Sequence, residues 1–88
     1  MTITVSEHRH SEFPYWVRIH KSLIGWQQYA PSRTKQKLIN DRISYKANHT
    51  WTNFDRHGLG KCITGYVYKF YTEEDRMHFV LCYLGGLN

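Results

Sequence analysis

Lys61-Cys-Ile-Thr-Gly-Tyr-Val-Tyr-Lys-Phe-Tyr-Thr72 is the run on which the fold turns. It is dense in β-branched and aromatic residues and holds no proline, which predicts a long strand. Upstream, Asn48-His-Thr-Trp-Thr-Asn-Phe54 has a similar composition and alternates weakly. Between them Asp55-Arg-His-Gly-Leu-Gly60 supplies two glycines and an aspartate, so the three segments predict a hairpin with an exposed, basic tip. On the other side, Thr72 precedes Glu73, Glu74 and Asp75, a hydroxyl cap and three carboxylates where unpaired amides and the helix dipole favour negative charge. Met77, Val80, Leu81 and Leu84 continue at helical spacing, and Gly85-Gly86 ends that helix.

Towards the N-terminus, Phe13-Pro-Tyr-Trp-Val-Arg-Ile-His20 alternates as a strand, with Tyr15, Val17 and Ile19 facing the core and Trp16, Arg18 and His20 facing away. Leu23, Trp26 and Ala30 then recur at helical spacing until Pro31 interrupts, because it lacks an amide and clashes with the preceding turn. A second helix is predicted from Ser32 or Thr34. Leu38, Ile39 and Ile43 form its apolar stripe, and Arg33, Lys35, Lys37 and Lys46 its basic face. Thr2-Ile-Thr-Val-Ser6 has strong β propensity over a short length, so residues 1–12 are read as a short edge strand or a flexible segment.

The resulting order, (β)βαββα, makes residues 1–88 one α+β domain. Its architecture is a ferredoxin-like antiparallel sheet, four-stranded or three-stranded, with helices on one face. No strand follows the last helix. A hairpin of Thr2–Ser6 with Tyr15–His20 would fill that edge from the other end of the chain, giving a circularly permuted version of the sheet.

A chain of 88 residues is too short for two cores. A hydrophobic share of 41% with 16% aromatics excludes wholesale disorder. No window approaches the roughly 18 apolar residues of a membrane span, and the first residues lack a signal-peptide pattern, so a cytoplasmic protein without membrane contact is expected. Twelve Lys and Arg against seven Asp and Glu leave a net charge of +5, with six His besides. That balance favours an anionic partner, nucleic acid first, and excludes a duplex mimic, which needs an acidic surface. Cys62 and Cys82 allow one bridge at most, and both are expected reduced and buried.

Gly65-Tyr-Val-Tyr-Lys-Phe-Tyr-Thr-Glu-Glu-Asp75 resembles the third strand and second helix of an RNA-recognition motif. Gly65, Tyr66 and Tyr71 fit that motif and Tyr68 replaces a phenylalanine, whereas Thr64, Val67 and Lys69 depart from it. The resemblance implies stacking aromatics on an open sheet face. Separately, Glu74-Asp75 with Phe79, Leu81, Tyr83 and a following glycine resembles the ending of many small proteins of tailed bacteriophages. That likeness implies an accessory factor in the host cytoplasm.

From alternation, the face away from the helices is expected to present Trp16, Arg18 and His20 from one strand, and Thr64, Tyr66, Tyr68 and Phe70 from another. Aromatics beside cations suit single-stranded nucleic acid, with bases stacking on Trp16, Tyr66 and Tyr68 and phosphates held by Arg18, Arg56 and Lys61. His57 extends the track at the hairpin. The same face equally suits a host protein blocked by an inhibitor of this size, or a second copy of the chain, because aromatic and arginine anchors dominate protein interfaces too. No cofactor, metal site or catalytic constellation is expected. His8 and His10 match no closed zinc spacing, and helix capping accounts for Glu73, Glu74 and Asp75.

Overall fold

The computed structural model describes residues 2–53 and 61–86. Within them the chain runs β1 (Ile3–Glu7), β2 (Tyr15–His20), α1 (Pro31–Asn40), β3 (Tyr45–Asn53), β4 (Lys61–Phe70) and α2 (Glu73–Cys82), with a 3-10 turn over Trp26–Tyr29. Among the described residues, the four strands form one antiparallel sheet in the order β1-β2-β4-β3. The chain is thus α+β, with β1 and β2 paired as a hairpin at one edge.

The registers divide the sheet into two faces. On one, Ile3, Ile19, Tyr66 and His49 form a cross-strand row, followed by Val5, Val17, Tyr68 and Ala47, and then by Glu7, Tyr15, Phe70 and Tyr45. This face packs beneath the helices. Val17, Tyr68, Phe70, Leu38 of α1 and Phe79 of α2 are fully buried there, with Ile43, Val80 and Leu84 around them. The Phe79 ring lies 4.6 Å from that of Tyr68 and 5.1 Å from that of Phe70, within the spacing at which aromatic pairs add to simple burial.

Polar contacts fix the helices to the sheet. The Tyr68 hydroxyl donates to the Tyr29 carbonyl and shares a 2.7 Å hydrogen bond with Thr34 Oγ1, so the phenol ties β4 to α1 and to the turn before it. Burial raises the Tyr68 pKa, and that of Tyr45, above the ordinary phenol value. On α2, Thr72 accepts from the Asp75 amide as the predicted N-cap. Arg76 donates to the Ser6 carbonyl at 3.0 Å and lies over the Tyr15 ring, seating α2 against β1 and β2.

Several expectations are corrected. Pro31 does not interrupt a helix; it opens α1 at the first position, where its missing amide has no partner to lose. The stretch from Ser22 forms only the 3-10 turn, and Ile43 lies beyond α1. Lys46 belongs to β3 rather than to the basic face of α1. Cys62 on β4 is half-buried and Cys82 exposed, both as free thiols; the helical turn that buries Phe79 and Val80 points Leu81 and Cys82 outward.

Candidate functional site

The second face of the sheet carries no helix. Its rows are Ser6, Trp16, Lys69 and Lys46, then Thr4, Arg18, Val67 and Asn48, then His20, Gly65 and Thr50. Trp16, Arg18 and His20 stand here as expected. Tyr66, Tyr68 and Phe70 do not: they are 5%, 0% and 0% exposed and belong to the core. Alternation along β4 permits either assignment, since Ile63 and Val67 lie at one parity and the aromatics at the other. Burial of the larger aromatic set, with Lys69 kept out of the core, decides between them.

Trp16 is therefore the aromatic platform of this face, and cations surround it. Lys69 Nζ lies 4.3 Å from the indole centroid and the Arg18 guanidinium 5.5 Å from it, both within cation–π range. The His8 ring stacks on the indole at 3.6 Å, and His8 Nε2 lies 3.1 Å from Ser6 Oγ. The indole N–H donates to the Phe13 carbonyl at 2.7 Å, which fixes the ring plane. Lys46 sits over the Phe13 ring at 5.1 Å and pairs with Glu12 at 3.8 Å. The sequence alone places Lys46 on the basic face of a helix, offers His8 only as a metal ligand and Lys69 only as a departure from the RNA-recognition motif, and assigns none of them, nor Phe13, to this face. Lys69 carried a signal all the same, because a lysine between two aromatics marks which parity faces water.

At the opposite end of the face, β4 departs from regular pairing. Gly65 is opposite Thr50 whereas Ile63 is opposite Trp51, which leaves Thr64 as an extra residue, and the Thr64 and Thr50 hydroxyls meet at 2.7 Å. A cavity of about 200 Å³ opens there, lined in part by Thr2, Thr4, Arg18, His20, Thr50 and Thr64. Lys61 begins β4 opposite Asn53. Arg56 and His57 lie outside the described residues.

Two further features lie on the helix side. Asp41 accepts from the Tyr83 hydroxyl at 2.6 Å and lies 3.3 Å from His78 Nε2, whose Nδ1 is 3.7 Å from Cys82 Sγ. The Tyr83 hydrogen bond, then His78, hold the Asp41 carboxyl below its usual range, while burial and Asp41 raise the Tyr83 pKa. Among the described residues no three His, Cys, Asp or Glu side chains converge to hold a metal ion. Beside edge strand β1, Val5, Met77 and Leu81 expose apolar surface along a groove of about 380 Å³. Among the described residues no helix is long and apolar enough to cross a membrane.

No protein-family model matches the chain, and neither does any curated protein or solved structure.

Proposed function

We propose that the chain is a non-enzymatic binding protein that takes single-stranded nucleic acid on the open face of its sheet. The observation that carries this reading is a half-exposed Trp16 on a sheet face without a helix, with Arg18 and Lys69 near its ring and His8 stacked on it in the position that a base would take. Indole faces stack on bases of any sequence and cations neutralise phosphates, so one aromatic set among lysine and arginine is a minimal single-strand platform. The net charge of +5 supports the same direction. Base stacking here rests on Trp16 alone, with Arg18, His20, Lys46 and Lys69 as the cationic and polar track. We also propose that the strand order is the ferredoxin-like one circularly permuted, with β1 in the place of the last strand.

The test is fluorescence anisotropy with labelled single-stranded RNA and DNA at about 50 and 200 mM salt, the range in which phosphate contacts show themselves. Binding should weaken with salt, fall in Trp16→Ala, and lose about one unit of salt slope in Lys69→Gln. Flat traces at both salts would sink the proposal. A protein partner, a host protein blocked by this chain or a second copy of it, is the second reading. The apolar strip of Val5, Met77 and Leu81 beside β1 favours it, since unpaired strand edges and exposed apolar strips are what protein partners cover.

A further inference from the structure

We propose that the notch above Gly65 is an oxyanion subsite that takes one phosphate group. The cavity opens beside the row of the sheet that Gly65 centres. His20, Gly65 and Thr50 are cross-strand neighbours on the open face, so the middle of that row is bare backbone between two polar side chains. Glycine is required there for a separate reason: a Cβ on Gly65, at its φ of 156°, would lie 1.9 Å from the Ile19 carbonyl oxygen.

Ile19 and Tyr66 form part of the lining, and the other residues that line the notch carry hydrogen-bond donors. Arg18 lines the notch, and its guanidinium, which lies over the Trp16 ring and is paired with no carboxylate among the described residues, can bring a planar fork of N–H groups to a bound anion by a rotamer change. The Ser22 amide donates to His20 Nδ1 at 3.1 Å, so that nitrogen carries the lone pair and Nε2 carries the proton. Thr50 and Thr64 share a single proton across their 2.7 Å contact, which leaves the second hydroxyl proton of the pair for a ligand. Thr2 and Thr4 add hydroxyls, and no carboxylate among the described residues lines the space. Such a donor set, with a guanidinium and without an anion, matches a group with several acceptor oxygens, and a phosphate presents three or more where a carboxylate presents two. A volume of about 200 Å³ holds a tetrahedral oxyanion with a few waters, each water taking about 30 Å³.

The phosphate has two sources, a nucleic-acid backbone or a free phosphate compound. Trp16, Arg18 and His20 follow one another along one face of β2, so the indole and the notch are separated by roughly 13 Å at about 3.3 Å per residue. A strand stacked on Trp16 would run over Arg18 towards the notch. Assigning the phosphate to a strand rests on the nucleic-acid reading above; the anion subsite does not.

The experiment titrates ¹⁵N-labelled protein with inorganic phosphate against sodium chloride at matched ionic strength. Saturable shifts of the His20, Thr64 and Gly65 amides are expected, weakened about fivefold in Thr50→Val/Thr64→Val and about tenfold in Arg18→Gln. Arg18 is exposed, so its variant stays informative if the threonine pair proves necessary for folding. Shifts no larger than those in chloride, or unchanged in both variants, would overturn the subsite. Oligonucleotide anisotropy on the same proteins separates the sources. A parallel loss in the variants assigns the phosphate to the strand, and an unchanged oligonucleotide affinity overturns that assignment. Saturable phosphate shifts in a protein that binds no oligonucleotide would uphold the subsite and overturn the nucleic-acid reading.

Discussion

The two faces of the sheet share four strands and differ in almost everything else. On the closed face, Tyr66, Tyr68 and Phe70 disappear under α1 and α2, and even the Tyr68 hydroxyl is spoken for by Thr34 and Tyr29. On the open face, Trp16 stays half-exposed with cations on its ring, and Arg18, His20 and Lys46 reach water. Packing explains every residue of the first set. It does not explain why an indole and three cations gather where no helix covers them, and an exposed cluster of that kind is the informative observation. On the proposed reading, stability and binding lie on opposite sides of the same strands, and mutations should sort accordingly.

Gly65 belongs to both sides, so its substitution should have the largest effect. Gly65→Ala places a methyl group 1.9 Å from the Ile19 carbonyl, a backbone atom that cannot swing away. A loss of more than about 4 kcal/mol is expected by urea denaturation, in the range kept for broken backbone geometry. A variant that unfolds at the native urea midpoint would break the account of how β2 and β4 approach.

Tyr68→Ala comes next, at about 3–5 kcal/mol for emptying a fully buried aromatic site. Tyr68→Phe isolates the hydroxyl. Deleting it leaves the Tyr29 carbonyl and Thr34 without their partner, at a cost of about 1–3 kcal/mol. It should also change the alkaline behaviour. Burial raises the phenol's folded pKa above its ordinary value of 10.0, so its contribution is complete below pH 10. As pH rises further the unfolded chain loses the proton first, and stability falls. The phenylalanine variant should show a shallower alkaline decline; an identical one would mean that Tyr68 is not among the groups responsible.

Much of this division was legible in the sequence, and the unread part has a physical cause. Alternation in β2 placed Trp16, Arg18 and His20 correctly, because polar and apolar residues there separate cleanly by parity. In β4 both parities carry apolar residues, so periodicity alone could not choose a face, and the expectation that put Tyr66, Tyr68 and Phe70 on the open face took the wrong parity. The notch was out of reach for a different reason. It depends on Gly65 meeting His20 and Thr50 across two strand pairs, with an extra residue at Thr64, and register of that kind is set by tertiary pairing. Pro31 illustrates the same limit on a smaller scale, since one residue type both stops helices and starts them.

Trp16→Ala tests the open side directly. The indole is half-exposed and its N–H bond to Phe13 is local, so a stability loss of only about 1–2 kcal/mol is expected, well short of that for Tyr68→Ala. Affinity for single-stranded nucleic acid should fall about 5- to 150-fold, the worth of one stacked base. Destabilisation equal to that of Tyr68→Ala, with binding untouched, would erase the distinction between the two faces.

The smallest effect belongs to the layer that covers the closed face. Asp41, at the C-cap of α1, accepts from the Tyr83 hydroxyl just past α2 and faces His78 on that helix, so one carboxylate fastens the two helices to each other. The Tyr83 hydrogen bond first, then His78 and Lys37, hold its pKa below the ordinary 3.8. A depressed carboxylate contributes its stability above the unfolded value and loses it as pH falls from there through the folded value. Urea midpoints of the native protein and Asp41→Asn, followed from about pH 7 down to about pH 3, should therefore differ modestly at neutrality and converge in acid. Trp16→Ala should leave that acid limb in place, because no contact links the indole to Asp41 among the described residues. If Trp16→Ala flattened the limb and Asp41→Asn did not, the helix clamp would have to be sought elsewhere and the two faces would be coupled rather than separate.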